Sequence, residues 1–235
     1  MKKFDYYIKL VGASLPSDDY INDLARAVLN DVSHIKVKGG HRRKAVLKIS
    51  GKVPYFEVTD NGSLEANVGI ALDANLYGIN EEYLVEINRQ AEKLFDEHQS
   101  NFLKDESALG GVIASVMGGY GGDEFYPGMI RKAAQTWCKL ATLQAFSNGN
   151  KRTALLAALY ILDANGFIWR NPNGNELYDL TTSVARRDEG KDAAYLEKII
   201  RRNVIVRQFS SLRLAKEFRG GPITMNVRVD KPKPL

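Results

Sequence analysis

Residues 5–11, DYYIKLV, alternate so that Tyr6, Ile8 and Leu10 share one face, the pattern of a half-buried strand. Pro16 stops that strand. Ser17 is a good N-cap, Asp18 and Asp19 suit a first helical turn, and Ile21, Leu24, Ala25, Val28 and Leu29 recur at helical spacing. Short segments rich in β-branched and aromatic residues follow: HIKVK, a Gly39-Gly40 turn, AVLKIS, VPYFEV, an Asn61-Gly62 turn and ANVGIALD. Residues 1–79 are therefore expected to form a small α/β module.

From Asn80 the period changes to that of helices. Asn80 is placed to cap a segment whose Leu84, Ile87, Ala91, Leu94 and Phe95 form one stripe ending near Ser100. The next stretch, GGVIASVMGGYGGDEFYPG, holds six glycines between Gly110 and Gly122 and shows no long helical period, so it reads as an exposed hairpin or flap. Pro127-Gly128 opens a helix lined by Met129, Ile130, Ala133, Ala134, Trp137, Leu140 and Ala141. After a loop from Gln144 to Asn150, residues 151–165 are apolar almost all round, which marks a buried central helix with Gly166 as its left-handed stop. Helices are expected over 175–187 and 192–203, and the tail beyond Gly221 either supplies one edge strand, ITMNVRV, or stays disordered. The chain thus divides into a module over 1–79, a helical domain over 80–206 and a basic extension over 207–235, with a mainly α fold.

Composition narrows the class. The 235 residues are 44% hydrophobic and 26% charged, enough to fill a core without disulfides or metal staples. Cys138 is the single cysteine, so no intramolecular bridge forms, and a reducing compartment fits. The longest uncharged apolar run, Ala154 to Leu162, is half of the ~18 residues that span a bilayer, and Asp5 and Lys9 break any signal-peptide core. A cytoplasmic protein without a membrane partner is expected. The net charge of +5 is concentrated. Lys36, Lys38, Arg42, Arg43, Lys44 and Lys48 stand within thirteen residues with His41 and no acid among them, either a nucleic-acid patch or the solvated face of a hairpin. Arg201, Arg202, Arg207, Arg213 and Arg219 form a sparser basic set that reads as a solvated face.

The stretch that carries chemistry is Gln144-Ala-Phe-Ser-Asn148-Gly149-Asn150-Lys151-Arg152-Thr153, a small-residue loop that runs into the buried helix. Backbone N–H groups at a helix start are unpaired within the helix and favour an anion in front of it. Lys151 adds a point charge, Arg152 a planar fork matched to phosphate oxygens, and Gly149 permits close approach or positive φ. Two cations in a first turn oppose the helix dipole, an odd choice for a purely structural turn.

These residues resemble the Fic/Doc proteins, whose signature is His-x-Phe-x-Asp/Glu-Gly/Ala-Asn-Gly/Lys-Arg. Phe146, Gly149, Asn150, Lys151 and Arg152 match it in register, and Lys151 with the Thr153-Ala154-Leu155 continuation is similar to the death-on-curing (Doc) branch, as is the upstream SALGGVIASVMGGYGGDEFYPGMIRKAA. The resemblance covers roughly residues 80–205. It implies a helical domain that transfers AMP or a phosphate from a nucleotide, ATP with Mg²⁺ above all, to a hydroxyl of a target protein in a toxin–antitoxin or related bacterial system. By that resemblance Phe146 anchors the loop, Asn148, Gly149, Asn150, Lys151 and Arg152 hold phosphate, and Asn148 marks a weakened metal position. A flap including Val116, Gly118, Gly119, Tyr120 and Gly121 docks the target by strand addition. An antitoxin and a second copy of the chain are further candidate partners.

Two positions depart from the signature. Gln144 stands where the family has the general-base histidine, and an amide cannot accept a proton near neutral pH, in a role worth ~10²–10⁴ in rate. No histidine lies beyond His98 to replace it. Gln144 reads as a deliberate inactivating change, a natural loss that leaves a nucleotide- or partner-binding pseudoenzyme, or a site with substrate-assisted proton transfer. Asn148 replaces the acidic metal ligand, so it brings an oxygen but no charge.

Overall fold

The computed structural model describes residues 3–11, 18–32, 42–73, 78–94, 103–170 and 172–220. They fall into two compact units. One takes the described residues of Met1–Tyr77, Leu162–Arg170 and Ile200–Gly221, the other those of Gly78–Ile161 and Asn171–Ile199. The fold is mainly α with a β module, as the periodicities imply, but the units are not the consecutive segments 1–79, 80–206 and 207–235. Two later stretches of chain group with the amino-terminal sheet.

In the first unit β1 (Tyr6–Val11) runs into α1 (Asp18–Val32), followed by β2 (Arg43–Ser50), β3 (Val53–Asp60) and β4 (Ser63–Asp73). The sheet order is β1-β4-β3-β2, with β1 parallel to β4 (Ile8 opposite Ile70) and the other pairs antiparallel. The Asn61-Gly62 turn appears as expected, both residues at positive φ, 48° and 85°. Ile8, Leu10, Leu24, Val28, Phe56, Val58, Val68 and Ile70 are among the buried side chains of its core. Burying such side chains contributes about 1.5–3 kcal/mol each.

Three elements of this unit escape a periodicity reading because they are short. β7 (Phe167–Trp169) and β8 (Val204–Val206) form an antiparallel pair, and α8 (Leu212–Glu217) follows with Ser211 as its N-cap. The Asn30 amide donates to the Arg201 and Val204 carbonyls at 3.1 and 3.0 Å, and Arg201 holds Asp23 at 2.6 Å. Lys9 is fully buried. Its Nζ meets Asp73 at 2.9 Å and donates to the Phe218 carbonyl at 2.6 Å, and burial pulls its pKa below the ordinary lysine value.

The second unit is helical. α2 (Glu81–Leu94) starts at Asn80, whose Oδ1 accepts from the Tyr83 N–H at 2.7 Å. α3 (Glu106–Met117) corrects the reading of the glycine-rich stretch as a flap from Gly111 onward. Leu109, Val112 and Val116 are all buried, a helical spacing that outweighs the ~1 kcal/mol cost of each helical glycine. Asp105 caps the helix, accepting from the Ala108 N–H at 2.8 Å. Gly110 lets the Glu81 carboxylate lie close against α3, where a Cβ would stand 2.5 Å from Glu81 Oε1 and push that side chain aside. Only β5 (Gly119–Tyr120) and β6 (Asp123–Glu124) remain as a hairpin.

α4 (Met129–Thr142), α5 (Asn150–Ala164), α6 (Gly174–Ala185) and α7 (Ala193–Asn203) complete the helices, the last turns of α5 and α7 being counted with the first unit. Every residue from Arg152 to Leu159 is buried, as the all-round apolar pattern predicts. Gly166 takes φ 87° after the last turn of α5. Trp137 on α4 is fully buried, and its indole N–H donates to Thr181 Oγ1 on α6 at 2.9 Å. No described helix is long and apolar enough to cross a membrane. Ser17, the HIKVK segment with its glycine turn, and the ITMNVRV tail lie outside the described residues.

Candidate functional site

Residues 143–149 join α4 to α5 and reach the helix start through a network of hydrogen bonds. The Ala145 carbonyl accepts from the Lys104 and Asp105 N–H groups at 2.7 and 3.2 Å, and Leu103 and Phe146 form a single β-bridge. Phe146 is 3% exposed, so its ring sits in the core beneath the loop. Gly149, at φ 77°, turns the chain into α5, and its carbonyl accepts from the Thr153 N–H at 2.9 Å. The first N–H groups of α5 follow that turn.

Asn150 braces the loop from within. Its Oδ1 accepts from the Phe146 N–H at 2.9 Å, and its Nδ2 donates to the Phe146 carbonyl at 2.8 Å and to Gln144 Oε1 at 3.3 Å. Expected as a phosphate holder, Asn150 has both ends of its side-chain amide on the loop. Asn148 is turned the same way, with Oδ1 accepting from the Gly149 N–H at 2.7 Å.

A second brace comes from a residue that the motif does not include. Asn88 on α2 is 2% exposed, and its Nδ2 donates both to the Asn148 carbonyl at 3.0 Å and to Thr153 Oγ1 at 2.8 Å. Thr153 passes its own proton to the Gly149 carbonyl at 3.0 Å. The carbonyls on either side of the turn are thereby held back into the protein. The sequence carried a signal for Asn88: it is a polar residue beside the apolar stripe of Leu84, Ile87 and Ala91.

Between the loop and α6 lies a cleft of about 140 Å³, lined by Gln144, Ser147, Asn148, Gly149, Asn150, Lys151, Arg152 and Tyr178. It is smaller than the ~300 Å³ at which drug-sized pockets begin and has no aliphatic wall, so its chemistry suits a compact anion. Lys151 is half-buried and Arg152 is 6% exposed. In a partly desolvated setting two cations attract an anion more strongly than they would in bulk water. Gln144 is exposed at the mouth, its amide oxygen accepting from Asn150. Tyr178, a ring from α6, is a lining residue that the motif does not disclose.

The residues do not fit a protein-held divalent metal. No carboxylate is among the described residues that line the cleft, and no group of three or more His, Cys, Asp or Glu side chains gathers anywhere among the described residues. The Asn148 amide oxygen, at the motif's metal position, already accepts from the Gly149 N–H and brings no charge. A hard cation takes several oxygen ligands and is usually anchored by carboxylates.

The flap region divides. Val116 belongs to α3 and is fully buried, which removes it from any docking edge. Gly119, Tyr120 and Gly121 form the exposed side of the hairpin, with Tyr120 85% exposed, whereas Gly118 is the half-buried C-cap of α3, its N–H bonded to the Ala114 carbonyl. The hairpin is tethered by Lys132 of α4, whose buried ammonium meets Glu124 at 3.1 Å and donates to the Tyr126 carbonyl at 2.8 Å.

Of the basic run, Lys36, Lys38 and His41 lie outside the described residues. Arg43 and Lys48, on β2, pair with Glu65 and Glu57. In the sparser set, Arg201 and Arg207 form part-buried ion pairs with Asp23 and Asp163, whereas Arg213 and Arg219, which meet Glu217 and Asp73, are exposed, as a solvated face requires. Cys138 is half-buried, and burial raises its thiol pKa, which keeps it protonated and unreactive at neutral pH.

Residues 78–162 match the model of the Fic/DOC family. The matched span runs from the residues before α2 through the motif loop and into α5, so it contains the cleft-forming loop and the hairpin. No curated protein matches the chain.

Proposed function

We propose that this chain is a Doc/Fic-type scaffold whose cleft binds the phosphate groups of a nucleotide, and that it transfers phosphate or AMP to a target hydroxyl poorly or not at all because Gln144 occupies the general-base position. The observation that carries this reading is the pairing of an ordered cationic cradle with a non-basic residue at its mouth. Lys151 and Arg152 line the cleft, while Gln144 Oε1 accepts from Asn150 and the rest of its amide offers only N–H donors. An attacking hydroxyl at that position finds a partner for hydrogen bonding and none for its proton. The hairpin from Gly118 to Glu124 would hold the target segment by main-chain pairing. Membership of a toxin–antitoxin pair is part of the same proposal and rests on the family resemblance.

Calorimetry of the full chain with ATP tests the binding half. Saturable binding is expected, weakened about tenfold in Lys151→Ala and more in Arg152→Ala, whose forked contacts are charge-assisted. Absence of saturable binding by the parent protein, with its melting intact, refutes the nucleotide reading.

A further inference from the structure

The backbone of the motif loop decides which way the Gln144 amide faces. The Ala145 carbonyl is held by the Lys104 and Asp105 N–H groups, and Phe146 is fixed by its bridge to Leu103 and by burial of its ring. Asn150 then meets both polar groups of the Phe146 backbone, accepting from the N–H on Oδ1 at 2.9 Å and donating from Nδ2 to the carbonyl at 2.8 Å. A backbone N–H only donates and a carbonyl only accepts, so the two ends of the Asn150 amide cannot be exchanged. Nδ2 carries two protons. The one that Phe146 does not use goes to Gln144 at 3.3 Å, and the atom that receives it must be the oxygen, Oε1. The order set by the backbone at Phe146 thus passes through Asn150 to residue 144.

From this we infer that Gln144 is itself a ligand-binding residue, which presents its Nε2 protons to a phosphate oxygen of the anion held by Lys151 and Arg152. The inference rests on the phosphate-binding reading of the same cleft. Gln144 lines that cleft together with the two cations, and with Oε1 turned to Asn150 the other corner of its planar amide is the –NH₂ group. An N–H donor that meets an anion forms a charge-assisted bond, shorter and stronger than a neutral one. Glutamine therefore changes the work of this position from taking a proton off a hydroxyl to giving hydrogen bonds to phosphate. The ligand it recognises is the phosphate chain of a nucleotide or of pyrophosphate, and Asn150 is the residue that positions it.

The test titrates the ¹⁵N-labelled full chain with pyrophosphate and follows the side-chain amide signals by NMR, the Gln144 pair being the one absent from Gln144→Met. The expected result is a saturating downfield shift of that pair, with the same Kd that calorimetry gives. Gln144→Met, similar in length but without a donor, should bind pyrophosphate about tenfold more weakly. Gln144→Glu keeps an oxygen for Asn150 and puts a charged oxygen where the donor was, so it should lose more than Gln144→Met. Melting of both variants, followed alongside, shows that the comparison is made on folded protein. If the parent binds pyrophosphate while the Gln144 pair stays unmoved, or if Gln144→Met binds as tightly as the parent, the inference is overturned and the phosphate-binding reading stands. Absence of saturable binding by the parent removes that reading and the inference together.

Discussion

Replacing Asn88 with leucine probes how the loop of the proposed phosphate site is held. The two side chains are similar in size, so little volume is lost, but both protons on Asn88 Nδ2 disappear. The Asn148 carbonyl loses a donor at 3.0 Å and Thr153 Oγ1 loses one at 2.8 Å. Thr153 keeps its own bond to Gly149, so the heavier loss falls on the Asn148 carbonyl. A buried acceptor left without a donor costs about 1–3 kcal/mol. The loop can escape that cost by swinging the carbonyl toward solvent, which displaces Asn148, itself part of the cleft lining. The penalty therefore divides between global stability and anion affinity. A total near 2 kcal/mol, if it fell wholly on binding, would be roughly a thirtyfold loss. Thermal unfolding by circular dichroism measures the first share, and calorimetry with ATP or pyrophosphate the second. Asn88→Asp sharpens the test, because an ionised carboxylate is isosteric yet cannot donate, and it faces a carbonyl oxygen. It should be at least as damaging as leucine. If Asn88→Leu shifts both stability and affinity by less than about 0.5 kcal/mol, within the range of an ordinary surface change, the network does not order the loop and the reasoning fails.

Three further outcomes are expected. Lys132→Met removes the buried cation that meets Glu124 and donates to the Tyr126 carbonyl, and should loosen the hairpin. Faster hydrogen exchange at residues 119–124 with little change in the rest of α4 is the expected result, and unchanged exchange there would contradict it. Trp137→Phe leaves Thr181 Oγ1 without the indole donor and should lower stability by ~1–2 kcal/mol in urea unfolding, whereas an unchanged midpoint would show that bond to be dispensable. Asp105 has its pKa lowered by the Ala108 N–H and the Ser107 hydroxyl, so its capping contribution is present above the ordinary carboxylate value and is lost as pH falls through the lowered one. Asp105→Asn keeps an acceptor that does not titrate, and should flatten that part of the acid limb of stability; an unchanged limb would refute the assignment.

How much of this was legible beforehand depended on whether a feature was periodic or relational. Helical stripes such as Leu84-Ile87-Ala91 and the all-round apolar run after Lys151 are plain in the sequence, because burial imposes the pattern. The helix over Glu106–Met117 was hidden by its glycines, which signal a loop in isolation but here admit Glu81 against Gly110. β7, β8 and α8 are too short to show a period, and their positions are decided by partners far along the chain, such as Asn30 for Val204 and Lys9 for Phe218. The motif loop was recognisable as a string, yet the role of Asn150 was not. As a member of the string it looked like a ligand for phosphate, and only its two bonds to Phe146 show the loop brace. Tyr178 comes to the cleft from α6, a distance in sequence that no local pattern bridges.

The central claim is that an ordered phosphate cradle stands beside a residue that cannot take a proton, and Gln144→His tests it most directly. Imidazole titrates near pH 6.5 and, at that position, would supply the general base that the amide lacks. The variant and the parent are incubated with a bacterial lysate and ATP labelled either at the γ-phosphate or in the adenylate, with and without Mg²⁺, and protein-bound label is counted. The account predicts transfer of one label to a discrete protein by Gln144→His, ~10²–10⁴ above the parent, while Gln144→Ala stays at the parent's level. Binding of ATP by Gln144→His without transfer of either label, even when Asn148→Asp is added, would contradict the account and leave the cleft as a binding site alone.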